Sequence, residues 1–173
     1  MTIKEAILHY YAKLTDVFQE EFGTNPTICY DEEINPELFI SGVDEYGESQ
    51  WKPVCAKPFF REGLCDELNE FFSSYYFGQL RGTYGNFSFD IAPVYSYDDA
   101  VKIVEAGLKD GDYYFKGSNY FMLGTAEKRE IDDYILIYRQ ENGSMFVYDT
   151  DKKTSRELNI SLPELIELME AEI

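Results

Sequence analysis

Two short apolar runs, at 134–139 and 145–148, flank Asn142-Gly143. Asn-Gly between apolar runs is the strongest short-range hairpin signal, because both turn positions need positive φ. The pair commits this part of the chain to an antiparallel sheet. A two-residue turn there would set Tyr138 opposite Val147 and Ile137 opposite Tyr148. Other strand signals are also joined by turns. Phe87, Phe89 and Ile91 alternate with Ser88 and Asp90, and Pro93 closes that run. Segments 38–43 and 51–56 read as strands that Tyr46-Gly47-Glu48-Ser49 joins into a hairpin, and 113–123 reads as a strand broken near Gly117.

Helical periodicity appears at both ends. Thr2 and Glu5 form a capping box ahead of Ile3, Ile7, Tyr11, Leu14, Phe18 and Phe22, and Gly23 with Asn25-Pro26 stops the helix. Ser161 and Glu164 form another, with Pro163 in the first turn and Leu162, Leu165, Ile166 and Met169 facing inward. A second helix is expected over 61–76, with Leu64, Leu68, Phe71, Phe72 and Tyr75 on one side, and Gly78, Gly82 and Gly85 then mark a bend. A short third helix, boxed by Ser96 and Asp99 and carrying Val101, Val104 and Leu108, should end at Gly111. Strands that follow one another through turns, between terminal helices, define an α+β fold. A mostly antiparallel sheet with flanking N-terminal and C-terminal helices, in one domain over 1–173, is the expected architecture.

The 33 Asp and Glu residues against 15 Lys and Arg give a net charge of −18. Nucleic acid and anionic lipid need cationic side chains to displace counterions, so neither is expected as a partner. Disorder is not expected, since the chain is 45% hydrophobic and 17% aromatic. Residues 1–11 contain Lys4 and Glu5 and lack the apolar run of an export signal, and no window approaches the ~18 apolar residues of a spanning helix. Cys29, Cys55 and Cys65 are odd in number and widely spaced, which disfavours a disulfide framework and favours the cytoplasm. They are expected as small buried hydrophobes.

Catalytic signals are missing. His9 is the single histidine, and its helix face includes Thr2 and Glu5 rather than any nucleophile, so a Ser/His or Cys/His pair, which would have to use it as base, is not expected. His9 and the cysteines lack the short paired steps of zinc sites. Gly78, Gly82 and Gly85 match neither a phosphate-binding loop nor a dinucleotide fingerprint, and Asp149-Thr150-Asp151 runs into Lys152-Lys153 instead of a calcium loop. With so many carboxylates an acid pair can be drawn almost anywhere, so no glycosidase-like dyad stands out. Neither a catalytic residue nor a metal or cofactor is expected.

Solubility needs a charge of only about 2 to 8 in magnitude. The surplus points to a basic protein partner, because complementary charge speeds encounter and suppresses wrong partners. Two classes fit: the Lys/Arg-rich cytoplasmic loops of a membrane protein, and the cationic cleft of a toxin. Asp31, Glu32, Glu33, Asp44, Glu45 and Glu48 crowd a turn-rich segment and are the first candidates to receive the partner. Glu130, Asp132 and Asp133, at the mouth of the central hairpin, come second. Trp51 is a candidate anchor, with a place in the core between two strands as the more ordinary role.

Several segments in order resemble one family. The tail Val17-Phe18-Gln19-Glu20-Glu21-Phe22 of the first helix, followed by Pro26, resembles an aromatic-plus-acidic helix end, and Trp51-Lys52-Pro53 resembles a W-x-P step. The block Phe71-Phe72-Ser73-Ser74-Tyr75-Tyr76-Phe77-Gly78-Gln79-Leu80-Arg81-Gly82-Thr83-Tyr84-Gly85 is similar to F-Y-x-x-x-F-x-G-x-M-x-A-x-x-G, with Leu80 and Gly82 in place of Met and Ala. Tyr97-Asp98-Asp99, the Asn142-Gly143 hairpin and the final helix follow in order. The chain thus resembles the Syd family of SecY-interacting proteins, within the SUKH superfamily. The resemblance implies a non-enzymatic α+β protein that meets the SecY translocon from the cytosol through an acidic concave surface, peripheral to the inner membrane. Relatives in the superfamily act as immunity proteins that neutralise toxins, which makes a toxin domain the alternative partner.

Overall fold

The structure, a computed structural model, describes residues 1–128 and 131–173, apart from the side chains of 131–133. In chain order the first half forms α1 (Ile3–Phe22), β1 (Thr27–Cys29), a 3₁₀ turn (Pro36–Leu38), β2 (Glu48–Gln50), β3 (Val54–Cys55), α2 (Asp66–Phe72) and β4 (Tyr75–Tyr76). The second half forms β5 (Leu80–Tyr84), β6 (Phe87–Ile91), α3 (Tyr97–Phe115), β7 (Tyr120–Lys128), β8 (Ile131–Arg139), β9 (Met145–Asp149), β10 (Thr154–Glu157), α4 (Leu162–Leu168) and β11 (Glu170–Ala171). Seven strands make one antiparallel sheet in the order β10-β9-β8-β7-β6-β5-β11. Two small pairs, β1–β2 and β3–β4, stand apart from it. The fold is α+β with helices at both ends, as the turn-linked strands imply.

One continuous core joins Ile7, Tyr10 and Leu14 of α1 and Leu165 and Ile166 of α4 to the sheet face carrying Phe89, Ile91, Leu136 and Val147. A smaller cluster of Ile135, Ile137 and Phe146 lies on the opposite face, packed by Phe115 and Tyr120. Both predicted boxes form at the terminal helices. Thr2 accepts from the Glu5 N–H while the Glu5 carboxylate accepts from the Thr2 N–H, and Ser161 and Glu164 do the same. Each spares two helix-end donors. The Lys13 ammonium donates to the carbonyls of Glu167 and Met169, filling acceptors that the end of α4 leaves open.

Several elements depart from the sequence pattern. The α1 stripe is turned slightly: Tyr10 is fully buried, Tyr11 half-buried and Phe22 exposed. The second helix is only Asp66–Phe72. On its N-terminal side Gly63 is left-handed at φ 85. The segment ahead of α2 is held by side chains: Ser73 Oγ bonds both backbone groups of Phe59, and Asn69 Oδ1 accepts from the Arg61 N–H. On its C-terminal side Tyr75 and Tyr76 pair with Cys55 and Val54. The third helix runs through Gly111 to Phe115, so the strand expected over 113–123 begins only at Tyr120. Ser96 caps it by accepting from the Asp99 N–H, but Asp99 reaches one residue further back, to the Tyr95 N–H, and the reciprocal box is incomplete.

The central hairpin has a four-residue loop, closed by Arg139 N–H to Ser144 O with Gly143 at φ 71. Tyr138 therefore faces Met145, and Ile137 faces Phe146. That is a slip of two from the expected register, which preserves which side chains point inward. The hairpin expected between 38–43 and 51–56 is reduced to one bridge, Phe39 to Trp51, because β2 pairs with β1 instead.

Candidate functional site

The acidic segment is organised by the β1–β2 pair. Ile28 and Ser49 point inward and are buried, so Thr27, Cys29, Glu48 and Gln50 form the outward row. Thr27 Oγ1 donates to Glu48 at 2.8 Å across that row, and Asn25 donates to Gln50 at 3.1 Å. Beyond β1 the Tyr30 N–H donates to Gly47 O, and Asp31 Oδ1 accepts from the Glu33 N–H at 2.8 Å in a tight Asx turn. Buried Ile34 and the bond from Asn35 N–H to Tyr95 O pin the end of this loop against the approach to α3. The side chains of Asp31, Glu32 and Glu33 are left exposed.

This docking places Asp31 and Glu33 across a groove from the first turn of α3. The groove encloses about 560 Å³ and, among the described residues, is lined by Asp31, Glu33, Asp98 and Asp99, with Tyr30, Tyr95 and a single cation, Lys102. Asp98 is exposed. Asp99 is half-buried, and that burial holds its carboxyl above the usual Asp value, against the Tyr95 N–H and Lys102, which pull it down. Burial likewise raises the Tyr95 phenol, and the surrounding carboxylates reinforce the shift. Among the described residues none of these four carboxylates forms an ion pair, so their charge is not offset by one there.

The structure gathers only part of the predicted set. Asp31 and Glu33 line this groove, whereas Glu32 is exposed beside it. Asp44 Oδ1 accepts from the N–H groups of Tyr46 and Glu48, so one of its oxygens builds the turn before Gly47. Glu45 sits exposed in that turn, and Glu48 is half-buried in β2. Glu130 lies outside the described residues, as do the side chains of Asp132 and Asp133. Trp51 does not reach the surface. It is 1% exposed, its ring lies 5.0 Å from that of Tyr11, and a Cβ on Gly78 would stand 2.8 Å from the indole. As an anchor for a partner it is corrected to a core residue, since a surface docking there would first have to open the fold.

Asp98 and Asp99 are the residues that sequence reasoning missed. In the sequence Asp99 reads as a capping residue with Ser96, and Asp98 only as part of the acidic start of that helix; the Asn35–Tyr95 contact that brings them to Asp31 is long-range and leaves no local signal. The cysteines also need correction: Cys29 and Cys55 are exposed and Cys65 is half-buried, all with free thiols. Cys29 borders the acidic groove. His9 is remote from it, paired with Glu167 of α4 at 2.9 Å. Among the described residues no group of three His, Cys, Asp or Glu is placed to hold a metal ion, and no helix is long and apolar enough to cross a membrane. No protein-family model matches the chain, and no curated protein matches it.

Proposed function

We propose that this protein is a non-enzymatic binding protein whose acidic groove receives a basic polypeptide surface. The observation that carries the reading is the set of four carboxylates and one lysine around the groove between β1 and α3. Long-range attraction would steer a cationic chain toward it, and the same charge would repel nucleic acid and anionic lipid. The resemblance to the Syd family supplies the partner of first choice, the cytoplasmic loops of the SecY translocon, whose activity the bound protein would regulate. Contact with the membrane would then run through that partner alone.

A second reading, an immunity protein that neutralises a toxin domain, is favoured by one feature. Asp31 and Asp99 are each tied to a backbone N–H, at 2.8 and 2.9 Å, so part of the acidic surface is fixed before any partner arrives. Preorganisation suits a tight inhibitor more than a transient adaptor.

Peptides copying the basic SecY loops test the proposal. They should bind at low ionic strength and weaken steeply as salt rises. The triple variant Asp31→Asn/Glu33→Gln/Asp98→Asn should lose most of that affinity while folding normally. Equal binding by variant and parent would sink the reading. A partner held at about 0.5 M salt would favour the toxin reading over the loop adaptor.

A further inference from the structure

A second depression lies at the other end of β1, and the acidic groove does not account for it. It encloses about 910 Å³ between the last turns of α1 and the loop before β2, and it meets the outward row of the β1–β2 pair at Thr27, Glu48 and Gln50. One wall is aromatic. Phe18 is buried at the base, and Phe22, in ring contact with it at 5.6 Å, stands 59% exposed. Gly23 turns the chain away in the left-handed conformation directly after Phe22, so no further helical turn covers that ring. Tyr46, on the opposing loop, is 79% exposed. Among the described residues the charged side chains of the lining are Glu21, Asp44 and Glu48, with no lysine or arginine among them.

Two aromatic rings left in water beside three carboxylates define the occupant by its chemistry. An anion or a nucleic acid is repelled. A second copy of this chain brings a further −18 of charge. A purely cationic segment satisfies the carboxylates and can lay a lysine or arginine over a ring face, but it withdraws less apolar ring surface from water than an apolar side chain does. A segment with both apolar and basic side chains satisfies both, since exposed apolar clusters rimmed by charge mark interaction sites and aromatic side chains dominate binding energy once desolvated.

We infer that this second groove seats an amphipathic cationic segment of the partner, with an apolar side chain between Phe22 and Tyr46 and Lys or Arg side chains on Glu21, Asp44 and Glu48. The inference rests on the proposed function and adds the requirement for an apolar anchor. The two grooves flank one strand, Thr27 at one and Cys29 at the other. A partner chain running along β1 would meet an amphipathic seat and then a purely acidic one.

Two probes of equal charge separate this inference from its parent. One is a lysine–serine dodecapeptide, and the other is the same peptide with two serines replaced by leucine. Binding is read by anisotropy at low salt. The leucine peptide should bind the parent protein about tenfold tighter, the worth of one good apolar contact. Phe22→Ser and Tyr46→Ser, both at exposed positions, should erase that advantage and leave the serine peptide unchanged, whereas Glu21→Gln/Glu48→Gln should weaken both peptides. If the two peptides bind the parent protein alike, or if Phe22→Ser and Tyr46→Ser both keep the advantage of leucine, the amphipathic seat is wrong and the acidic binder stands. If neither peptide binds, the proposed function falls and this inference with it.

Discussion

Gly111 of α3 and the carbonyl of Tyr120 meet backbone to backbone: a Cβ on Gly111 would stand 2.1 Å from that oxygen. One turn earlier, a Cβ on Gly107 would lie 2.4 Å from the Phe121 ring. Both glycines cost helix propensity, about 1 kcal/mol each against alanine. Steric overlap in a packed core costs about 1–3 kcal/mol, and a backbone carbonyl cannot swing aside as a side-chain tip can. Gly111→Ala should therefore lower the urea midpoint despite better helix propensity. A higher midpoint would contradict the close approach of α3 to β7.

Tyr10 is fully buried, and its hydroxyl both donates to Arg81 O at 2.6 Å and accepts from Arg81 N–H at 2.9 Å. Burial pushes the phenol far above its ordinary range, so it stays neutral and keeps its proton for the carbonyl. Tyr10→Phe preserves the ring and strips a backbone N–H of its partner. Destabilisation of about 1–3 kcal/mol is expected from an unsatisfied buried group, read by equilibrium denaturation against parent protein.

The sole tryptophan gives an internal report on the core. Trp51 is 1% exposed against Tyr11, whose hydroxyl donates to the Trp51 carbonyl at 2.6 Å. Its emission should be blue-shifted and insensitive to iodide, and it should not move when a basic peptide binds. Trp51→Ala should cost about 3–5 kcal/mol. A red, quenchable emission in the native protein would show that the indole is outside.

Cys29 sits at the edge of the acidic groove and Cys55 is exposed elsewhere, while the half-buried Cys65 lies 3.8 Å from the Tyr138 hydroxyl. A maleimide should modify Cys29 and Cys55 quickly and Cys65 slowly. Saturating basic peptide should slow Cys29 alone. Protection of Cys55 in place of Cys29 would put the partner on a different face.

Asp99 has its carboxyl raised by burial above the ordinary 3.8. In the window between 3.8 and that raised value, the folded chain holds more protons than the unfolded one, so stability falls as pH rises through it. Self-repulsion from the −18 charge acts in the same direction. Denaturation midpoints should rise as pH falls through that window, and more in the parent than in Asp99→Asn. Identical slopes for the two proteins would remove Asp99 as a contributor.

Local chemistry made much of this legible. The two capping boxes at Thr2 and Ser161, the alternation at Phe87, Phe89 and Ile91, and the Asn142-Gly143 signal each lie within a few residues, and each marks a real element. What failed depends on distant partners. Gly111 reads as a helix stop until Tyr120 is seen packed against it. Residues 57–65 read partly as helix until Ser73 and Asn69 are seen holding them out of one. The two-residue strand β11 has no signal of its own and exists because β5 offers an edge. The same division runs through the site. Asp31 and Glu33 stand in an evident acidic cluster, whereas Asp98 and Asp99 join them only through the contact of Asn35 with Tyr95.

The bond between Lys13 and the end of α4 has a consequence for synthesis. Its partners lie 154 and 156 positions further along the chain, and β11 closes the edge of β5 just after them. A ribosome delivers α1 first, yet nothing exists for its lysine to grip, nor for the β5 edge to zip against, until residues 162–171 have emerged. Closure of such distant contacts is slow compared with local helix formation. The nascent chain therefore waits with Ile7, Tyr10 and Leu14 incompletely covered, and the interval before α4 arrives leaves that surface open to aggregation and to proteases.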